Sequence, residues 1–399
     1  MFDADVVVVG AGPVGAVAAY RMAKMGLDAL LLEGAAQPVE DLRASTIHPP
    51  TLEMLAELGV VDPLIEQGIK TPVYHFRERE TGDRVAFDFS ELGEHTPYPY
   101  RLQCEQYKIV RLLVSLLQQH YGREVRFSHR VESVTQDGQG VSVVAQTPDG
   151  VREFRSRYVI AADGGGSAVR KSVGVPFEGM TYPEKFVTFS TDTPLDRYFE
   201  GFAGVNYVAD EREWASIILT PSGWRVLVPA AGELTNDHLV SDRYKNTVFH
   251  NLIGVGDSVE THHRTVYRVN QRVAVKYNHG RVILAGDSAH VHNPLGGFGM
   301  NSGIHDVWNL TGQLARILND NADAHTLLNR YDRQRRTIMC RFVQAQTAEN
   351  KSYMEAGSAV AHARKRQQLE EIAADDELRH AYLLKQSMLQ SRLDEAAIQ

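Results

Sequence analysis

Residues 6–9 are four consecutive valines. Glycines follow at 10, 12 and 15, apolar residues then recur at helical spacing to about residue 25, and a second apolar run covers 29–32. A short apolar run closed by glycine reads as a buried strand, and the spacing behind it as an amphipathic helix. The chain therefore opens as strand, tight turn, helix, strand. A second helical pattern covers 50–58 behind a double proline. Between 72 and 100 the pattern changes to alternation. Val73-Tyr74-His75-Phe76 and Val85-Ala86-Phe87-Asp88-Phe89 flank Thr81-Gly82-Asp83, which predicts a hairpin. A helix over 109–119 and strands over 131–134, 141–145 and 158–162 return to the first pattern. From 177 to 269 the chain is strand-rich again, most clearly at 215–219 and 224–228. A further apolar strand over 281–285 precedes a region, from about 301 to the end, that is helical nearly throughout.

Composition narrows the partners. The 42 Lys and Arg residues stand against 50 Asp and Glu, and a formal charge of −8 makes no electrostatic case for nucleic acid or an anionic membrane. Cys104 and Cys340 are far apart and lack metal-ligand spacing, so neither a disulfide framework nor a metal site is expected. The start shows no signal-peptide pattern and no apolar run is long enough to span a bilayer. These features predict a cytoplasmic protein.

Gly10-Ala11-Gly12-Pro13-Val14-Gly15 lies between a strand and a helix, the context in which a glycine fingerprint binds a dinucleotide. Gly10 permits the turn, Gly12 lets the backbone approach a pyrophosphate, and Gly15 allows close helix–strand packing. Glu33, ending the second strand, is spaced to accept hydrogen bonds from an adenosine ribose. By itself this unit leaves FAD and NAD both open. A second segment, Gly286-Asp287 followed by Pro294-Leu295-Gly296-Gly297-Phe298-Gly299-Met300-Asn301, brings a carboxylate, a glycine-rich loop and a helix start. Asp287 is then suited to a ribityl or ribose hydroxyl, and the amides of Gly299, Met300 and Asn301 to a flavin carbonyl. The expected fold is α/β. It comprises a Rossmann-like FAD-binding domain (1–71, 101–176 and 270–349), an interrupted β-sheet substrate domain (72–100 and 177–269) and C-terminal helices (350–399).

With Ala162-Asp163-Gly164-Gly165-Gly166-Ser167-Ala168-Val169-Arg170 between them, these segments resemble the single-component FAD-dependent aromatic hydroxylases typified by p-hydroxybenzoate hydroxylase. The resemblance implies that Asp163 serves FAD and nicotinamide binding and that Arg43 contacts FAD on a loop where the flavin swings. It further implies that Gln106 touches FAD, with Gln103 the competing assignment, and that Pro294 presents its carbonyl near the reacting flavin carbon. Phe298 replaces a frequent Gln, Val110 a customary Glu, and Thr311-Gly312-Gln313-Leu314 a frequent Trp-Lys-Leu.

The implied activity is hydroxylation of a small phenolic or N-heteroaromatic substrate through a flavin C4a-hydroperoxide. NADH or NADPH is the transient reductant and O2 the co-substrate, as the missing second glycine fingerprint allows. A phenol reacts faster as its phenolate, so a proton acceptor is expected, with His48 the foremost candidate and His75, Tyr207, Tyr267, His262 and His263 the others. A reductase or dehydrogenase without oxygen insertion, and a non-catalytic FAD-binding protein, are the alternatives. A halogenase is disfavoured because Trp214, Trp224 and Trp308 never form the Trp-x-Trp pair. A monomer or homodimer is expected.

Overall fold

The computed structural model describes residues 2–40, 42, 44–79, 81–210, 214–355 and 359–399. The valine run forms strand Ala4–Val9, the glycines turn the chain, and Pro13–Lys24 is a helix with proline in its first turn. Ala4–Val9 pairs in parallel with Ala29–Leu32 on one side and with Gly150–Ala161 on the other. Val125–Arg126 and Val282–Leu284 extend this sheet in parallel at either side. Its strand order thus reverses at the central Ala4–Val9, and the crevice beyond the carboxyl ends of such strands is where an open α/β sheet binds ligands. Arg130–Gln136 and Val141–Thr147 continue from Gly150–Ala161 as an antiparallel meander.

A second eight-stranded sheet is built around two long strands, Phe177–Thr191 and His263–Ala274, which pair antiparallel. Gly223–Ala230, Ala215–Thr220 and Val205–Ala209 follow in order, and the hairpin Val73–Glu78 with Arg84–Asp88 forms the far edge. At the other edge His290–Val291 pairs with His263–Ala274, so the chain leaving Gly286-Asp287 is hydrogen-bonded into the second sheet before reaching Pro294. A small sheet of Thr46–Ile47, Arg101–Gln103 and Ile69–Thr71 stands beside these two.

Apolar burial follows these layers. Val6, Val7 and Val8 are fully buried with Val17, Ala18 and Met22 of the first helix. That helix lies against the 22-residue helix Phe298–Asn319, where the Arg21 guanidinium stacks 3.9 Å from the Trp308 ring centroid. The helices after 350 return to the second sheet: Tyr382 packs on Phe87 with ring centroids 4.5 Å apart, and Leu383 is fully buried. Among the described residues no helix is long and apolar enough to cross a membrane.

Candidate active site

Helix Pro13–Lys24 begins at Gly12, whose backbone is extended and supplies no side-chain cap, so its first amides are open to an anion. Gly10 has φ +96° and a Cβ there would run into the Ala162 carbonyl. A Cβ on Gly15 would strike the Gly10 carbonyl, whereas one on Gly12 meets no atom within 4 Å. Gly10 and Gly15 are therefore glycine for packing, and Gly12 borders open space. Glu33 follows strand Ala29–Leu32 and accepts from the Ala11 amide and the Ala35 amide, both at 2.7 Å. Its carboxylate fixes the turn and still lines the cavity with acceptor capacity to spare.

Gly286-Asp287 reaches the same cavity from the end of strand Val282–Leu284. The Gly286 amide donates to Asp306 Oδ2 at 2.9 Å, and the Ser288 hydroxyl to the Ala161 carbonyl at 2.6 Å. These bonds hold Asp287 on the cavity wall beside Pro13 and Val14, although Gly286 itself is behind the lining. Farther on, Pro294, Leu295, Gly296 and Gly297 form one rim, and Gly299 and Met300 at the start of helix Phe298–Asn319 continue it. Asn301 lies underneath. Its side chain accepts from the His48 amide at 2.9 Å and donates to the carbonyls of Thr46 and Gly297 at 2.9 and 2.7 Å.

His48 does not face the cavity. It is fully buried behind the rim, its ring stacked on Phe298 and its Nε2 2.8 Å from the Gly296 carbonyl. A carbonyl only accepts, so the imidazole donates through Nε2. Burial, then the nearby Arg101 charge, holds its pKa well below the usual 6.5 and keeps it neutral. This placement sets His48 against the loop at Gly296 rather than on the cavity wall, where a proton acceptor was expected. Asp163 is likewise turned away, accepting from Ser167 Oγ at 2.6 Å and the Val169 amide at 3.2 Å, while its neighbours Ala162 and Gly164 line the cavity. Burial raises its pKa. Gln106, the first residue of helix Gln106–Tyr121, lines the cavity with Val110. Gln103 is buried and receives the Thr46 hydroxyl at 2.9 Å. Arg43 lies outside the described residues.

The cavity, about 480 Å3, continues from this cradle to a wall made by the second sheet, including Thr188, Tyr207, Ser216, Thr265 and Tyr267. Of the remaining proton-transfer candidates, Tyr207, Tyr267 and His263 are on that wall. His75 is not; burial, then Arg77 and Arg84, takes its pKa down to about 4. His262 is directed to Asp192 at 3.7 Å. Two lining residues that the sequence reading missed are Arg101 and Arg225. Nothing in the local sequence marks either, because each is a single cation in a short strand and only the assembled sheets turn it inward.

The FAD binding domain family matches residues 3–346. The para-nitrophenol 4-monooxygenase of Pseudomonas sp. (strain WBC-3) is 31% identical over 395 residues, covering 97% of this chain and 96% of its own. The 6-hydroxy-3-succinoylpyridine 3-monooxygenase of Pseudomonas putida (strain DSM 28022 / S16) is 32% identical over 351 residues, with 86% and 87% of the two chains covered. The crystal structure of the p-nitrophenol 4-monooxygenase from Pseudomonas putida DLL-E4 superposes with a TM-score of 0.91 at 29% identity, over 96% of this chain and 98% of that one. An open Gly12 turn, Glu33 and Asp287 around one cavity are the donor and acceptor set an adenine dinucleotide requires, and the chain belongs to the FAD-dependent aromatic hydroxylases of the FAD-binding domain family.

Proposed function

We propose that this protein hydroxylates a small phenolic or N-heteroaromatic ring, with FAD as cofactor, NADH or NADPH as reductant and O2 as co-substrate. The observation that carries this reading is the continuity of the cavity: one space runs from Gly12 and Glu33, past Asp287 and the 294–297 rim, to Tyr207 and Tyr267 of the second sheet. Cofactor and substrate would then meet away from bulk water. Relatives that act on a nitrophenol and on a hydroxylated pyridine support the same substrate class.

Bound FAD supplies electron transfer and oxygen activation, and the chain supplies position. In this reading the amides after Gly12, with Pro13 and Val14, hold the pyrophosphate. Glu33 accepts from the ribose, Asp287 from a hydroxyl of the linker, and Gln106 contacts the cofactor. The amides at Gly299 and Met300 face the flavin's polar edge, while Asn301 and His48 fix the rim from behind. Pro294, whose carbonyl accepts from the Gly297 amide, would present that carbonyl to the flavin. Tyr207, Tyr267 and His263 are the groups on hand to relay a substrate proton. Residues 1–71, 101–176 and 270–349 act as the cofactor domain, 72–100 and 177–269 as the substrate domain, and 350–399 as a helical closure. The chain works in the cytoplasm as a monomer or homodimer.

The test is a screen of hydroxylated benzenes and pyridines for NAD(P)H oxidation and oxygen uptake, with hydrogen peroxide measured alongside. The expected result is a compound that accelerates both and yields product containing one atom from O2. Oxidised product formed without oxygen would establish the dehydrogenase alternative. If no aromatic accelerates NAD(P)H oxidation, the hydroxylase reading falls.

A further inference from the structure

We propose that the substrate is bound as an aromatic anion and that Arg101 is the specificity-determining residue that selects its charge; this rests on the monooxygenase reading above. Arg101 opens strand Arg101–Gln103, opposite Thr71. Alternation along the strand puts it on the same face as Gln103, whose amide oxygen meets Thr46 beneath the 294–297 rim. Its side chain is in the cavity wall and only 1% exposed. The Tyr74 and Phe89 rings lie against the guanidinium at 4.5 and 4.9 Å. Nη2 reaches the Gln386 carbonyl at 3.4 Å, and Nε has no hydrogen-bond partner.

A guanidinium stays protonated at any pH the fold survives, so burying it without a counter-ion is costly. Among the described residues no carboxylate comes within ion-pairing distance of Arg101. Among the described residues the wall supplies none either: the acids that line the cavity are Glu33 and Asp287, at the cofactor end, and the substrate wall adds a second guanidinium, Arg225. A negative group on the ligand, an ionised ring hydroxyl or a ring carboxylate, supplies the missing counter-charge where the Arg101 side chain lines the cavity. The Tyr74 and Phe89 centroids are only 5.5 Å apart, so both rings lie to one side of the guanidinium and do not enclose it.

Isothermal titration of the FAD-loaded protein, without NAD(P)H, tests this apart from turnover. Two ligand pairs are compared at a pH where the acids are ionised: 4-nitrophenol with 4-nitroanisole, and 4-hydroxybenzoate with 4-hydroxybenzamide. The anion of at least one pair should bind about ten-fold or more tightly than its neutral counterpart, and which pair responds separates a phenolate from a carboxylate. Arg101→Gln should remove that preference and leave the neutral ligands unchanged, and Arg101→Lys should retain part of it. Equal binding within both pairs, or equal weakening of anion and neutral ligand by Arg101→Gln, overturns the proposal. Should Arg101→Gln fail to keep the parent's flavin content and melting temperature, the wild-type pairs decide alone. A hydroxylase that turns over yet shows no anion preference would sink this inference and leave the activity standing.

Discussion

Gly12 and Gly15 are three residues apart, yet a side chain is excluded at each for a different reason. At Gly15 the obstacle is the protein's own backbone, whereas at Gly12 the protein offers none and the obstacle is the pyrophosphate that the proposed function puts there. Gly12→Val should therefore fold and melt close to the parent but purify with little FAD, as the flavin-to-protein absorbance ratio will show; full occupancy would remove Gly12 from the pyrophosphate site. Gly15→Ala should lose stability even without cofactor. His48 allows a similar separation. If it holds Gly296 rather than a substrate proton, His48→Ala should lower turnover while leaving the shape of the pH–rate profile intact; disappearance of one limb would restore it as the base. The placements of Gly10, Gly12, Gly15 and Glu33 around one turn were legible in the sequence because they arise within one strand–turn–helix–strand unit. The placements of His48 and Arg101 were not, since each is decided by a partner far along the chain: Gly296 for His48 and Gln386 for Arg101. Asp163 is placed locally: its carboxylate accepts from Ser167, the N-cap of helix Ala168–Ser172, and from the Val169 amide.

Elements around the cofactor end are joined by a buried ionic network. Asp306 in helix Phe298–Asn319 accepts from the Gly286 amide, from His290 Nε2 at 2.6 Å and from Arg335 Nε at 2.7 Å, and Arg335 also pairs with Glu395 near the C-terminus. Burial alone would raise the Asp306 pKa, but the His290 and Arg335 charges and hydrogen bonds bring it down to about 2. Removing one partner strands the others, so Asp306→Asn should cost roughly 3–5 kcal/mol in chemical denaturation. A loss under about 1 kcal/mol would mean that the network contributes little. Acid sensitivity follows with a definite sign. Buried His48 and His305 lie well below 6.5, and burial takes His292 down to about 4, so the unfolded chain binds protons that the native one refuses. Stability should accordingly fall as pH drops from about 6.5 towards 4 and continue to fall from 3.8 towards 2 as Asp306 protonates. Melting temperatures measured across that range check it; a flat profile would contradict the neutral histidines. Among the elements themselves, the hairpin Val73–Glu78 with Arg84–Asp88 was readable from alternation around Thr81-Gly82-Asp83. The full extent of Phe177–Thr191 was not, because Gly179 breaks the apolar pattern and Pro183 falls where the pairing with His263–Ala274 shifts register. Helix Asp242–Ile253 was also hidden within a region that reads as strand-rich.

For the molecule as a whole, the C-terminal helices connect Arg101 with the 294–297 rim. Gln386 offers its backbone carbonyl to Arg101 and its side-chain amide to Asn350 Oδ1 at 3.0 Å, and Gln346 donates to the same oxygen at 3.2 Å. Asn350 in turn donates to the Leu295 carbonyl at 3.4 Å, and Asn293 to the Thr347 carbonyl at 3.1 Å. The rim beside Pro294 is thus braced by residues of which the early sequence gives no hint, because a helical tail reads only as a packed terminal segment. In an oxygenase the orientation of substrate against cofactor decides whether reducing equivalents reach the product or escape as peroxide. Asn350→Ala removes the hub without touching the Gly12 cradle, Glu33 or Asp287. It should leave flavin content and the rate of NAD(P)H oxidation near the parent's, while raising the hydrogen peroxide formed per NAD(P)H consumed at saturating substrate. An unchanged peroxide ratio would show that the brace does not orient the reacting groups, whereas a drop in flavin content with no change in that ratio would move its role to cofactor retention.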